Sequence, residues 1–207
     1  MDQEKLKKIQ NKVQKYLDEY RFRHTIGVMY TAGSLAMCHG ADLEKAMIAG
    51  LLHDCAKCIP GSKKISLCEK HQIPISEIEY ANPGLLHAKL GAYFAGKKYH
   101  IEDAEILSAI ACHTTGKPDM TILEKIIYIA DYIEPGRAEL PNMKVVRELA
   151  YRDLNACMYR ILKDSLEYLN SRHIPLDPRT ENAYYYYDQW NHSIQETNRT
   201  EQEDFIE

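Results

Sequence analysis

An apolar helical run that ends in a histidine and an aspartate side by side constrains this chain more than any other stretch. Asp42 is a good N-cap, the run passes through Ala46, Ile48 and Leu51, and it closes on Leu51-Leu52-His53-Asp54-Cys55-Ala56-Lys57. An α-helix turns about 100° per residue, from its roughly 3.6 residues per turn. Neighbouring side chains therefore cannot share a face, but both can reach a point between them. A metal ion rewards that arrangement, because it accepts an imidazole nitrogen and a carboxylate oxygen together. The plainer alternative is a capping or packing His53 beside a solvated Asp54, since charged residues collect at helix ends.

Helical periodicity recurs on both sides of this run. Leu6, Ile9, Val13, Tyr16, Leu17 and Tyr20 repeat with lysines between them, and Arg21 continues helically towards Gly40. Gly27 and Gly33 cost helix propensity there and suit close packing against a neighbouring helix. Pro60-Gly61 ends the His-Asp helix, and a short one is expected around Lys63 to His71. Ser76 and Glu79 have capping-box spacing. Asn82-Pro83 opens a longer helix carrying Leu85, Leu86, His87, Leu90 and Gly91. Further helices are expected from Asp103 to Cys112, from Thr121 to Asp131, over Met143–Leu149 and Asp153–Leu169, and around Asn182 to Trp190. No β-hairpin, glycine-rich nucleotide loop or internal repeat interrupts them. The expectation is an all-α, single-domain helical bundle over residues 1–194, with a polar, acidic, frayed tail over 195–207.

Composition narrows the class. A chain of 207 residues with 45% hydrophobic content can bury a substantial single core. A formal charge of −4 gives no reason to expect non-specific nucleic-acid binding. No apolar stretch approaches the roughly 20 residues of a membrane span, and the first residues offer no secretory apolar region. The six cysteines are scattered through helical segments, and Cys55-x-x-Cys58 has no second pair at zinc-ribbon spacing. They read as buried structural thiols of a cytoplasmic protein. A homodimer is compatible with the sequence but not implied by it.

Six metal-capable residues stand at helix ends or on apolar helix faces: His24, His53, Asp54, His87, His113 and Asp131. Four imidazoles and two carboxylates are too many for one closed tetrahedral site. They suit two ions sharing a bridging carboxylate: His24, His53, Asp54 and Asp131 serve a single-metal version, and His87 and His113 add the second ion. The mixed nitrogen and carboxylate set suits iron, manganese, cobalt or zinc better than magnesium. The other five histidines, His39, His71, His100, His173 and His192, read as surface or capping residues. The run Tyr184–Tyr187 reads as aromatics packed against the body.

In their order, the stretches LLHDCAK, NPGLLHAKLGA, CHTTGKPDM and KIIYIADYIEPGR resemble the HD-domain metallophosphohydrolases, and more narrowly the YqeK-like family. The similarity spans roughly residues 15 to 170. It implies a symmetrical bis(5′-nucleosyl)-tetraphosphatase with a buried di-iron centre, in which His24, His53, Asp54 and Asp131 surround one metal. Asp54 would also bridge to the second, completed by His87 and His113. The expected reaction is in-line hydrolysis of a dinucleoside tetraphosphate to two nucleoside diphosphates by a metal-bridging hydroxide. Lys57, one turn beyond His53, and Arg137, after the Pro-Gly bend, are expected to join Asp54 in catalysis and to bind phosphate oxygens. Thr114, Thr115, Gly116 and Lys117 are expected to add substrate contacts. Two other readings compete: a phosphohydrolase of mononucleotides, and a metal-dependent nucleotide sensor without turnover.

Overall fold

The computed structural model describes residues 3–203, with side chains through residue 193. Among the described residues there are eleven α-helices and no strand: α1 (Gln3–Gln14), α2 (Glu19–His39), α3 (Leu43–Leu52), α4 (Gly61–Lys70), α5 (Glu77–Ala81), α6 (Leu86–Tyr99), α7 (Ala104–Cys112), α8 (Ile122–Ile133), α9 (Met143–Ala150), α10 (Leu154–Ser171) and α11 (Pro178–Glu203). The all-α expectation holds. None of these helices is long and apolar enough to cross a membrane.

Helix α3 is the axis of the bundle. Every residue from Ala46 to Leu52 is buried, as expected of a helix that is apolar all round. Helices α2, α7 and α8 pack around it, α6 backs α7, and α10 joins α8 to α9 and α11. At Gly50 a Cβ would lie 3.0 Å from the Met29 Cα, so this glycine lets α3 approach the backbone of α2. Gly33 makes room in the same contact for Met47 and Leu43. Gly27 does something else: it faces the carboxylate of Glu134.

The expected caps are found at Asp42, which accepts from Lys45 N at 2.9 Å, and at Ser76/Glu79, which form a reciprocal box. Several boundaries differ from the sequence reading. The first helix stops at Gln14 because Asp18 caps a new one, accepting from Arg21 N at 2.7 Å; Tyr16 and Tyr20 are left exposed. Helix α3 ends at Leu52, before Pro60, so His53 is its C-cap and Asp54 already lies in the turn that follows. Pro83 begins a short 3₁₀ turn ahead of α6, and Asn82 makes no side-chain cap there. Helix α11 continues past Gln195 to Glu203; residues 204–207 of the expected tail lie outside the described residues.

Cys55, Cys68, Cys112 and Cys157 are buried as expected, whereas Cys38 and Cys58 are exposed. Of the tyrosine run, Tyr187 is buried and its hydroxyl accepts from Met120 N at 3.2 Å, while Tyr184 stacks on Tyr159. Tyr185 and Tyr186 stay exposed, against the packing expected for the whole run, because α11 lies on the body along one face only. His39 ties α2 to α9 through Ala150 O at 2.7 Å, and His100 takes the left-handed cap position after α6.

Candidate metal centre

Five helices deliver the six candidate ligands to one point. His24 comes from the first half of α2, His53 and Asp54 from the end of α3, His87 from the first turn of α6, His113 from the C-cap of α7, and Asp131 from α8. All four imidazoles and Asp54 are buried, and Asp131 is partly exposed.

The two oxygens of Asp54 face different partners. Oδ2 lies 3.5 Å from His53 Nε2 and 3.9 Å from His24 Nε2. Oδ1 lies 3.1 Å from His87 Nε2 and 3.6 Å from His113 Nε2. Asp131 Oδ1 is on the Oδ2 side, 2.9 Å from His24 Nε2 and 3.7 Å from His53 Nε2. The His87 and His113 Nε2 atoms stand 3.1 Å apart on the other side.

Hydrogen bonds behind the rings set their tautomers. Nδ1 of His53 is 2.7 Å from Gly50 O, that of His87 2.6 Å from Gly84 O, and that of His113 2.8 Å from Ile110 O. A carbonyl only accepts, so each Nδ1 carries a proton and donates, and each ring turns its Nε2 inward. His24 achieves the same through Glu134, whose Oε1 accepts from its Nδ1 at 3.0 Å. The centre is thus a convergence of lone pairs from four nitrogens and two carboxylates. His24 Nε2, His53 Nε2 and Asp54 Oδ1 are buried without a hydrogen-bond partner. Acceptors do not crowd together in a protein interior unless a cation balances them. The donor set fits a divalent metal: His24, His53 and Asp131 form one group of converging ligand atoms, and His53, Asp54 and His113 another.

Electrostatics agree. Burial pushes the Asp54 carboxyl up, but His53, His113 and His87 around it outweigh that and hold it well below the usual carboxylate range. Asp131 is likewise raised by burial and brought far lower by His24, His53 and Arg137. Burial pushes His87 down to about 4, against the pull of Asp54, so its ring is neutral at pH 7.

Three cations rim the centre. Arg21 Nη1 lies 2.8 Å from Asp54 Oδ2, Lys57 Nζ lies 3.1 Å from His87 Nε2 and 3.7 Å from Asp54 Oδ1, and Arg137 spans Asp131 through Nη2–Oδ1 at 2.5 Å and Nε–O at 2.8 Å. Thr114 Oγ1 is 3.1 Å from both His87 and His113 Nε2. The rest of that loop is engaged elsewhere. Thr115 is buried with its hydroxyl donating to Gly116 O, and Gly116 N donates to Cys112 O at 2.8 Å in a left-handed turn, so that hydroxyl and that amide are already engaged. Lys117 forms an ion pair with buried Glu124 at 2.7 Å and does not reach the centre.

Arg21 and Glu134 were absent from the sequence reading. Arg21 stands three residues before His24, hence on the same helix face, a spacing that could have flagged it. Glu134 lies within the stretch KIIYIADYIEPGR, and its connection to His24 spans 110 residues.

Comparison with known proteins agrees with this geometry. The HD domain family model matches residues 21–136. The chain is 42% identical over 172 residues to the symmetrical bis(5′-nucleosyl)-tetraphosphatase of Bacillus subtilis (strain 168), covering 83% of this chain and 91% of the relative. It is 41% identical, with the same coverage, to the protein of that description from Halalkalibacterium halodurans. A crystal structure from Clostridium acetobutylicum, described as an HD superfamily hydrolase involved in NAD metabolism, superposes with a TM-score of 0.85 at 40% identity. That match covers 88% of this chain and 96% of the other.

Proposed function

Since the chain belongs to the HD domain family, we propose that it hydrolyses dinucleoside tetraphosphates symmetrically, releasing two nucleoside diphosphates, at a centre that holds two divalent metal ions. The observation that carries this reading is the division of Asp54, with Oδ2 turned to His24 and His53 and Oδ1 to His87 and His113. A carboxylate placed between two imidazole pairs is suited to bridge two ions. Iron is the occupant the family resemblance implies, and manganese, cobalt and zinc satisfy the same donors. When bound, such ions polarise phosphoryl oxygens and lower the pKa of water towards neutrality.

The chain's own groups supply the rest. His24, His53, His87 and His113 offer Nε2 atoms held in fixed directions, and Asp54 and Asp131 carry the negative charge. Arg21, Lys57 and Arg137 are within reach of a polyphosphate lying over the centre and neutralise its oxygens, the two arginines with forked donors. Thr114 offers a hydroxyl on the His87/His113 side. A nucleoside diphosphate leaves as a stable anion, so the site needs no strong general acid. The compartment that goes with this reading is the cytoplasm, where free cysteines such as the six here persist.

The test is to purify the protein without air, count metals per chain, incubate with diadenosine tetraphosphate and separate the nucleotides. Two metals and ADP as sole product are expected. AMP with ATP would refute symmetrical cleavage, and two metals without turnover would move the assignment to a mononucleotide or to a sensor.

A further inference from the structure

A cleft of about 630 Å³ opens beside His24, between one face of α2 and the turn that follows α8. Its volume falls within the roughly 300–1,000 Å³ typical of small-ligand sites. Gly27 and Gly136 contribute no side chains to its walls, and Tyr20 and Tyr30 stand at either end. These tyrosines are ten residues apart on one helix, about 15 Å along its axis. Both are strongly exposed, at 67% and 63%. Both rings are thus open to water at the two ends of one cleft, on a helix that buries Val28, Met29 and Leu35 on its other face.

The cleft is joined to the centre twice by adjacent residues. Tyr20 precedes Arg21, whose guanidinium reaches Asp54, and Gly136 precedes Arg137, whose guanidinium reaches Asp131. A polyphosphate engaged by both arginines therefore has the mouth of this cleft at its end. Stacking against a tyrosine is sequence-tolerant, because every base has a π-face.

We infer that this cleft is a nucleoside subsite: Tyr20 or Tyr30 stacks on the base of one half of the dinucleotide while the adjoining phosphates meet Arg21 and Arg137. The inference rests on the hydrolase reading above and assigns base-binding residues to it. Base stacking on an aromatic is worth about 1–3 kcal/mol by alanine substitution, so its loss weakens binding about 5- to 150-fold.

The test is steady-state kinetics with diadenosine tetraphosphate on the metal-loaded wild type and on Tyr20→Ala, Tyr30→Ala, Tyr20→Phe and Tyr30→Phe. Both positions are exposed, so none of the four removes a core contact. At least one alanine variant is expected to raise KM about fivefold or more with kcat within about threefold, and its phenylalanine counterpart to restore the wild-type KM. Unchanged KM in both alanine variants would overturn the nucleoside subsite while ADP release by the wild type keeps the hydrolase reading intact. Absence of ADP from the wild type would bring down the hydrolase reading, and the subsite with it.

Discussion

Gly27→Ala tests whether the His24 side of the centre depends on Glu134. A Cβ at this position would lie 2.4 Å from Glu134 Oε2 and 3.1 Å from its Cδ. Ordinary contact begins near 3.4 Å, so the carboxylate must withdraw by about 1 Å. It cannot do so freely, because Oε2 accepts from Gly136 N at 2.6 Å and Oε1 from His24 Nδ1 at 3.0 Å. Losing one hydrogen bond to a buried charge costs about 1.5–3 kcal/mol, and overpacking adds about 1–3 kcal/mol. The better helix propensity of alanine returns only about 1 kcal/mol, so destabilisation wins by about 1.5–5 kcal/mol. For a chain of this length that lowers the thermal midpoint by about 3–20 °C. Freed from Glu134, His24 no longer has a fixed tautomer, and metal affinity should fall about 10- to 100-fold. Differential scanning calorimetry and competition with a chelator of known affinity measure the two effects. Adding Glu134→Asp, one methylene shorter, should recover part of each. A Gly27→Ala protein with wild-type midpoint and wild-type metal affinity would refute the argument.

The other expectations can be checked on the same preparations. Lys57→Ala should lower kcat/KM about 10- to 100-fold with metal content unchanged, since Lys57 reaches the centre but is not among its converging donors; unaltered kinetics would remove its phosphate role. Lys117→Met should leave KM within about twofold and cost about 1–3 kcal/mol of stability, because buried Glu124 loses its ion-pair partner. A large rise in KM would return Lys117 to the substrate. Glu79 is raised by burial but drawn below its ordinary value by Lys89, Ser76 and Arg179. A depressed carboxylate contributes stability above its unfolded value of about 4.3, and this is lost as pH falls through the lower folded value. Glu79→Gln should therefore lower the midpoint at pH 7, with the gap to wild type closing as pH falls below about 4; a gap independent of pH would contradict the charge-based account.

The legible parts of this protein are those whose causes are local. A cap such as Asp42 or Ser76 acts on backbone three residues away, and an apolar run such as α3 announces its burial in its own composition. The convergence of the six candidate ligands was readable because imidazole and carboxylate at the ends of apolar helices have few other uses. What escaped depends on distant partners. Lys117 follows a histidine and looks free until α8 brings Glu124 against it. Thr115 and Gly116 look like a phosphate loop until α7 is seen to close its last turn with them. Glu134 looks like a helix stop until the crossing of α2 places His24 on its carboxylate.

The four rings are aimed by two different means. Those of His53, His87 and His113 are oriented by carbonyls three residues upstream, so each arrives with its own short segment already carrying the right tautomer. The ring of His24 is oriented by a residue 110 positions away, and acquires its direction only when α2 and the end of α8 have met. Ring direction on the His87/His113 side is therefore set locally, whereas that of His24 is made by assembly. On heating or in mild denaturant the His24 side should lose its orientation first, so a centre of the proposed kind would pass through a state that holds one ion rather than two.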